Sequence, residues 1–481
     1  MVPDHPSPVR DARGPAGVHR PARPAAGRRT VDKEHVHGRR DLAERPVSGT
    51  QFDSGLELVA GVLVLLVVFA GLRRSPKIAV FAWLVVICFV PVWIGQSVVA
   101  YFPAFTIISL LTAASLLPTV VGIRWSYVDL FFVAIGAIAV VEYLLRLTTL
   151  SATFDLATAW AGAFLLGRIV TSVLDARWIY GAVGVFFSVV AALAVLEFAT
   201  GTNLFTTYVT ANNANYEVWG GLQPRGGILR AEGAFGHSIA LGSSLGVAVA
   251  LTMGSRFRPV LKTAMVALML VGAVVSFSRT GMITAAASVV LACLFLRDSL
   301  SRAYRVSLLV LTLAAAGVVF ALVEDVFVAS GNEAEGSALY RSELLQLLTY
   351  IQPFGLADNF AVSTTSEVSI GTFGSVDNAL LLFGLIFGWV PGVLVLLLLA
   401  AAGLYVLRGR ATAATIAVVA QIPALVTVAL ITQYAAVLWF AVGLAVSTQV
   451  LANAEHRARR AAARRPPVRR HRRVPAPVTA G

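Results

Sequence analysis

"LVGAVVSFSRTGMITAAASVVLACLFL", residues 270–296, is apolar except for a few small polar residues and one arginine, Arg279, near its middle. A permanent cation at the centre of a bilayer-crossing helix costs about 2.5–3.5 kcal/mol on insertion scales. With the apolar runs on either side, 263–278 and 280–296, the segment covers 34 residues (263 to 296). One crossing needs only about 20. The stretch therefore reads as a helical hairpin that turns at "SFSRTG" (276–281). Gly281 is expected to supply the turn, and Ser276, Ser278 and Thr280 to satisfy the backbone groups freed there. Arg279 then sits at a membrane interface or in a water-filled cavity opening to it.

The rest of the chain supports a membrane reading. It has 481 residues, 57% hydrophobic and 13% charged, where a soluble protein would carry about 25% charged. Apolar runs recur at 55–72, 77–95, 101–122, 127–146, 153–174, 178–199, 237–254, 263–278, 280–296, 306–323, 376–407, 411–431 and 433–451. The expected fold is all-α: a polytopic integral membrane protein of about 12–13 transmembrane helices. Cys88 and Cys293 both fall inside apolar runs, so neither a disulfide framework nor a cysteine metal site is expected.

The net charge of +13 is concentrated in the tails. Residues 1–50 are rich in Arg, Pro, Gly and His, without apolar periodicity or a signal-peptide core. Nine arginines lie between Arg457 and Arg473. Both tails, 1–50 and 455–481, read as disordered, flanking a membrane domain at 51–454. Anionic membrane lipids explain these basic tails better than nucleic acid does. The basic connectors 73–77, 175–177, 256–262, 297–305 and 408–410 all face the cytoplasm by the positive-inside rule. Two longer connectors, 200–236 and 324–375, then fall on the outer side, where a functional face is expected. Thirteen crossings would put the N-tail outside, against the same rule.

Polar residues within or beside the apolar runs form a small set. "GGILRAEGAFGHSIALGSSLG" (226–246) carries Arg230, Glu232 and His237, the last being the one histidine outside the tails. His237 reads as a general base, as a donor to substrate, or as a helix-start residue at the lipid–water interface. Arg230 is a second outer-face cation or a loop partner of Glu232. "ALYRSELLQLL" (338–348) places Tyr340, Arg341 and Glu343 on a short outer helix. Asp377 and Asn378 stand where the run 376–407 begins, and Asp377 fits either a helix N-cap or a base carboxylate. Glu142 and Arg146, four apart, are expected to form an intramembrane ion pair. Asp155 and Arg168 read as structural. Positive charge on the outer side of the 276–281 turn runs against the usual bias and favours a ligand role for Arg279. The planar guanidinium suits a phosphate or diphosphate. The sequence contains no phosphate-binding G-x-x-x-x-G-K-[ST] motif and no His/Cys/carboxylate cluster with metal spacing, so no cofactor is expected.

Four segments resemble, in order, the motifs of the O-antigen polymerase/ligase family. "RAEGAFGHSIALGSSL" is similar to its "R-x-x-G-t-f-x-H" segment, and "SFSRTGMITAAASVVL" to its "SxSRgg" hairpin. "YRSELLQLLTYIQPFGLADNF" resembles the outer-loop helix with "R-x-x-l … p-l-f-G-x-G". "SVDNALLLFGLIFGWVPGVLVLLL" looks like the "(D/H)N" start of a late helix. The resemblance implies a metal-independent transferase in a bacterial inner membrane, acting at the outer face on a glycan carried by undecaprenyl diphosphate. An acceptor hydroxyl, on a glycan or lipid, would attack the anomeric carbon. Arg279 and Arg230 would stabilise the departing diphosphate. His237 and Asp377 would complete the catalytic set, with Tyr340, Arg341, Asn378, Ser278 and Glu232 at the substrate. Ligases of this family carry a histidine where this chain has Asp377, so the resemblance points towards a polymerase, or a ligase with another base. A transporter would be expected to show inverted repeats and a midplane site. The chain shows no internal repeat, and its polar residues gather on one face.

Overall fold

A computed structural model describes residues 55–463 apart from 98–100, 121, 226, 297–299, 330–339, 341, 359, 363–367, 371–372 and 374. The N-tail, Arg341 and most of the C-tail lie outside the described residues. The fold is a polytopic helical bundle. Its first half comprises α1 (Gly55–Arg73), α2 (Pro76–Phe89), α3 (Ala104–Leu116), α4 (Tyr127–Leu144), α5 (Leu150–Val173) and α6 (Ala176–Thr200). Short helices α7 (Leu204–Tyr208) and α8 (Ala214–Trp219) occupy the following loop. Then come α9 (Ser238–Met253), α10 (Pro259–Val275), α11 (Arg279–Phe295) and α12 (Arg302–Ala329). The last part holds α13 (Ala379–Phe387), α14 (Trp389–Leu407), α15 (Ala413–Val419), α16 (Ile422–Leu425) and α17 (Thr432–Ala463). Among the described residues, five helices are long and apolar enough to cross a membrane: α4, α5, α6, α14 and α17. Several shorter apolar helices, among them α9, α10 and α11, pack with them. Three two-stranded antiparallel ribbons (95–97 with 101–103, 224–225 with 228–229, 360–362 with 368–370) fold the loops.

Small residues let the inner helices approach, as membrane packing requires when lipid offers no hydrophobic drive. Gly281 of α11 faces Gly242 of α9, and a Cβ there would lie 2.7 Å from the Gly242 Cα. One turn on, the Ser288 hydroxyl donates to the Gly246 carbonyl at 2.7 Å. Gly167 of α5 and Gly443 of α17 are pressed against each other's helix backbone in the same manner. Helix α9 is buried on every side and forms the axis of this part of the bundle.

Several expectations change. The hairpin at 270–296 forms as α10 and α11, but Gly281 lies inside α11. Phe277, at φ 46°, makes the reversal instead. The run 376–407 is not one rod. Gly388, at φ 87°, separates α13 from α14 where a Cβ would strike the backbone of Pro353 and Phe354. The Glu142–Arg146 ion pair is absent among the described residues. Helix α4 ends at Leu144, and Arg146 lies beyond it at φ 60°, so the i,i+4 ladder does not reach. Helix α17 continues to Ala463, into the stretch read as a disordered tail.

Arg168 does have an ionic partner. It is buried in α5 and makes a bidentate bond to Asp129 of α4, at 2.6 and 2.7 Å. It also donates to the Ser447 hydroxyl of α17 at 2.6 Å and to the Arg124 carbonyl at 3.0 Å. The connectors at this end carry most of the bundle's basic residues. Arg256 pairs with Asp175 at 3.1 Å, Lys77 lies over the Trp178 ring, and Arg305 donates to the Cys293 carbonyl.

Candidate functional site

The opposite end of the bundle holds the α10–α11 turn. The Ser276 hydroxyl accepts from the Ser278 N–H at 3.3 Å, and Ser278 caps α11 by accepting from the Gly281 N–H at 3.0 Å. Of the three polar residues expected to serve this turn, Ser276 and Ser278 do so. Thr280 instead bonds Thr427 across the bundle at 3.3 Å. Ser278 is buried, with its oxygen committed to the cap.

Arg225 and the segment 230–231 lie along this turn. Arg225 donates from Nη1 to the Phe277 carbonyl at 3.4 Å, and Arg230 from Nε to the Ser276 carbonyl at 3.3 Å. The Ala231 N–H donates to the Val275 carbonyl at 3.1 Å. Arg279 follows as the first, exposed residue of α11. Three cations separated in sequence thus meet at one turn: Arg230 buried, Arg225 half-buried and Arg279 exposed. They stand beside the N-terminus of a 17-residue helix, whose dipole adds positive potential of the same sign. Such a combination attracts an anion with several oxygens.

His237 caps α9 on the same side, its Nδ1 accepting from the Ile239 N–H at 3.1 Å. A ring nitrogen that accepts carries no proton, so in neutral His237 the hydrogen is on Nε2. Burial first, then the charges of Arg230 and Arg225, push its pKa down to about 4. With Nδ1 occupied by the cap, neutral His237 presents an Nε2–H donor on its other ring edge, and it is the residue at which α9 starts. The Trp219 ring stands edge-on to it, with centroids 6.2 Å apart.

Glu232 is buried and accepts from the Gln223 N–H at 3.3 Å. Burial raises its pKa to about 7, against the lowering effects of that bond and of Arg230. Beneath it lies Glu197, in the last turn of α6. Glu197 accepts from the N–H groups of Glu232 (3.0 Å) and Gly233 (2.9 Å) and from Asn203 Nδ2 (2.8 Å).

The residues 375–379 join the site through α16–α17. The Thr427 hydroxyl meets Thr280, and the next residue, Val428, accepts from the Ala379 N–H at 3.0 Å. The cap of α13 is Asn378, whose Oδ1 accepts from the Leu381 N–H at 3.0 Å. Asp377 precedes it and is exposed. The N-cap reading belongs to Asn378, and the Asp377 carboxylate stands outside the helix. Tyr340 is fixed here too. Its hydroxyl donates to the Ser375 carbonyl at 2.5 Å and accepts from the Ser375 N–H at 3.3 Å. Arg341 lies outside the described residues.

From Ala379 and Leu380 an apolar cavity of about 290 Å³ extends between α4, α14 and α17 towards Ser126 and Asn453 at the basic end. Trp160, Phe383 and Trp439 stack along it, with ring centroids 5.8 and 5.4 Å apart. Among the described residues no group of three or more His, Cys, Asp or Glu side chains is placed to hold a metal ion.

Sequence reasoning passed over Arg225, Glu197 and Gln433. Glu197 carried a usable signal, as the one carboxylate in the apolar run 178–199. Gln433, in α17, donates from Nε2 to the carbonyls of Val90 (3.0 Å) and Ala234 (2.9 Å), which no local pattern announces. No protein-family model matches the chain, and no curated protein matches it.

Proposed function

We propose that the protein is a membrane glycosyl transferase that polymerises oligosaccharide repeat units carried on undecaprenyl diphosphate, at the outer face of a bacterial cytoplasmic membrane. The observation that carries this reading is the collection of Arg225, Arg230 and Arg279 on the α10–α11 turn, together with an apolar cavity lined from Ala379, a residue tied to that turn through Val428, Thr427 and Thr280. An amphipathic ligand with a multiply charged anionic head and a long hydrocarbon tail matches both. The basic connectors gather at the other end of the bundle, and the positive-inside rule puts that end in the cytoplasm.

In this reading the diphosphate rests against the three guanidinium groups and the prenyl chain follows the cavity. The acceptor hydroxyl attacks the anomeric carbon as the carbon–oxygen bond to the diphosphate breaks, and the bonding pair leaves with the phosphate. The hydroxyl proton passes to the Asp377 carboxylate. His237 donates a hydrogen bond from Nε2, and the arginines hold the charge that develops, the preorganised stabilisation that often dominates catalysis.

Arg279→Ala should abolish polymer while membrane levels of the protein are retained. A wild-type polymer length profile in that variant would overturn the role. Deleting the gene separates two outcomes. Loss of long chains supports polymerisation, whereas accumulation of long lipid-linked chains assigns the protein to transfer onto a cell-envelope acceptor.

A further inference from the structure

The loop carrying Arg230 and His237 has little regular structure of its own, yet its backbone is held at three successive residues by side chains from elsewhere. The Glu232 and Gly233 N–H groups donate to separate oxygens of the Glu197 carboxylate. The Gly233 carbonyl accepts from Asn203 Nδ2 at 3.1 Å, and the Ala234 carbonyl accepts from Gln433. Asn203 also bonds Glu197 and caps α7 through Oδ1, accepting from the Phe205 and Thr206 N–H groups. Glycines at φ 55° (Gly233) and φ 63° (Gly236) bend the segment between these anchors and His237.

Glu197 is 8% exposed. Burying a carboxylate is costly unless its oxygens are satisfied, so its chemistry at this position calls for a reason. Two adjacent N–H groups and an amide N–H converge on it, and only an acceptor without hydrogens can meet all three. We propose that Glu197 is a positioning residue: it sets the register of 230–237 so that Arg230 and His237 are presented to the turn that carries Arg279. This rests on reading that turn as a diphosphate site.

Glu197→Gln keeps the shape of the side chain but turns an amide hydrogen towards at least one of the three donors. Asn203→Ser keeps a capping oxygen and removes the amide that links Glu197 to Gly233. It provides a milder second variant if the first does not fold. The full chain in nanodiscs would be followed by hydrogen–deuterium exchange and by binding of undecaprenyl diphosphate. Exchange at 231–237 should accelerate in both variants. Affinity should fall by about tenfold in Glu197→Gln, the scale of one lost hydrogen bond. The same change in an Arg230→Ala/His237→Ala background should have less than a twofold effect, because the residues it positions are gone.

Unchanged exchange at 231–237, or an equal affinity loss in both backgrounds, would overturn the proposal. If the wild-type protein does not bind undecaprenyl diphosphate, the diphosphate reading fails, and the exchange measurement still decides whether Glu197 fixes the loop.

Discussion

Removing Arg168 would test whether α4, α5 and α17 are locked by one buried ion pair. Its guanidinium makes four hydrogen bonds, two of them to Asp129. Both side chains are nearly inaccessible, at 5% for Arg168 and 9% for Asp129. Arg168→Ala would leave Asp129 with the Ser126 N–H (2.7 Å) as its remaining bond, a buried charge without its counter-ion. Breaking such a pair costs about 3–5 kcal/mol, and Asp129→Asn, which strands the cation, should cost a similar amount. The double variant Arg168→Met/Asp129→Asn removes both charges, fills the volume and keeps an acceptor for the Ser126 N–H. It should lie within about 1–2 kcal/mol of wild type, since a buried pair exchanged for a well-packed neutral one is often near neutral. Unfolding in mixed micelles, titrated with dodecyl sulfate, gives all four stabilities of the cycle. If the double variant loses the sum of the two single losses, the pair is not what couples these helices.

The pH response should divide between His237 and Glu232. His237 has a folded pKa near 4, below its ordinary 6.5, so between those values the unfolded chain binds the extra proton and stability falls as pH falls. His237→Asn, which keeps a cap acceptor, should flatten the melting temperature between pH 6.5 and 4. A slope identical to wild type would contradict this. Glu232 behaves oppositely. Its folded pKa is near 7 against an ordinary 4.5, so stability falls as pH rises through that window, and Glu232→Gln should remove that part of the profile. At the α9–α11 contact, Gly281→Ala places a methyl 2.7 Å from the Gly242 Cα and should destabilise by about 1–3 kcal/mol, as overpacking does. Gly403→Ala, where nothing lies within 4 Å, should be neutral or slightly stabilising. Equal effects at the two sites would refute the close-packing argument.

The candidate site was partly legible in the chain. Arg279, Arg230, His237 and Asp377 all stood out as polar residues at the edges of apolar runs, and the structure connects their segments through the α10–α11 turn and the Thr427–Val428 link. Their individual states were not legible. That Asn378 and not Asp377 caps α13, that Ser278 spends its oxygen on Gly281, and that His237 accepts at Nδ1 all depend on backbone directions within one turn. Residue type alone leaves such choices open. The Glu142–Arg146 pairing failed for a local reason: the helix that would have aligned the two stops at Leu144.

Apolar run length and the rise of a helix are one-dimensional quantities, so the sequence by itself determined the membrane class, the hairpin around Arg279 and the uneven distribution of basic connectors. Which polar residue meets which was decided by tertiary structure. Arg230 reaches Ser276 across 46 residues, Arg168 reaches Ser447 across 279, and Gln433 reaches Val90 across 343. Those partners are chosen by how closely glycine-faced helices approach and by how buried donors find acceptors away from water. Neither condition exists until the bundle has closed.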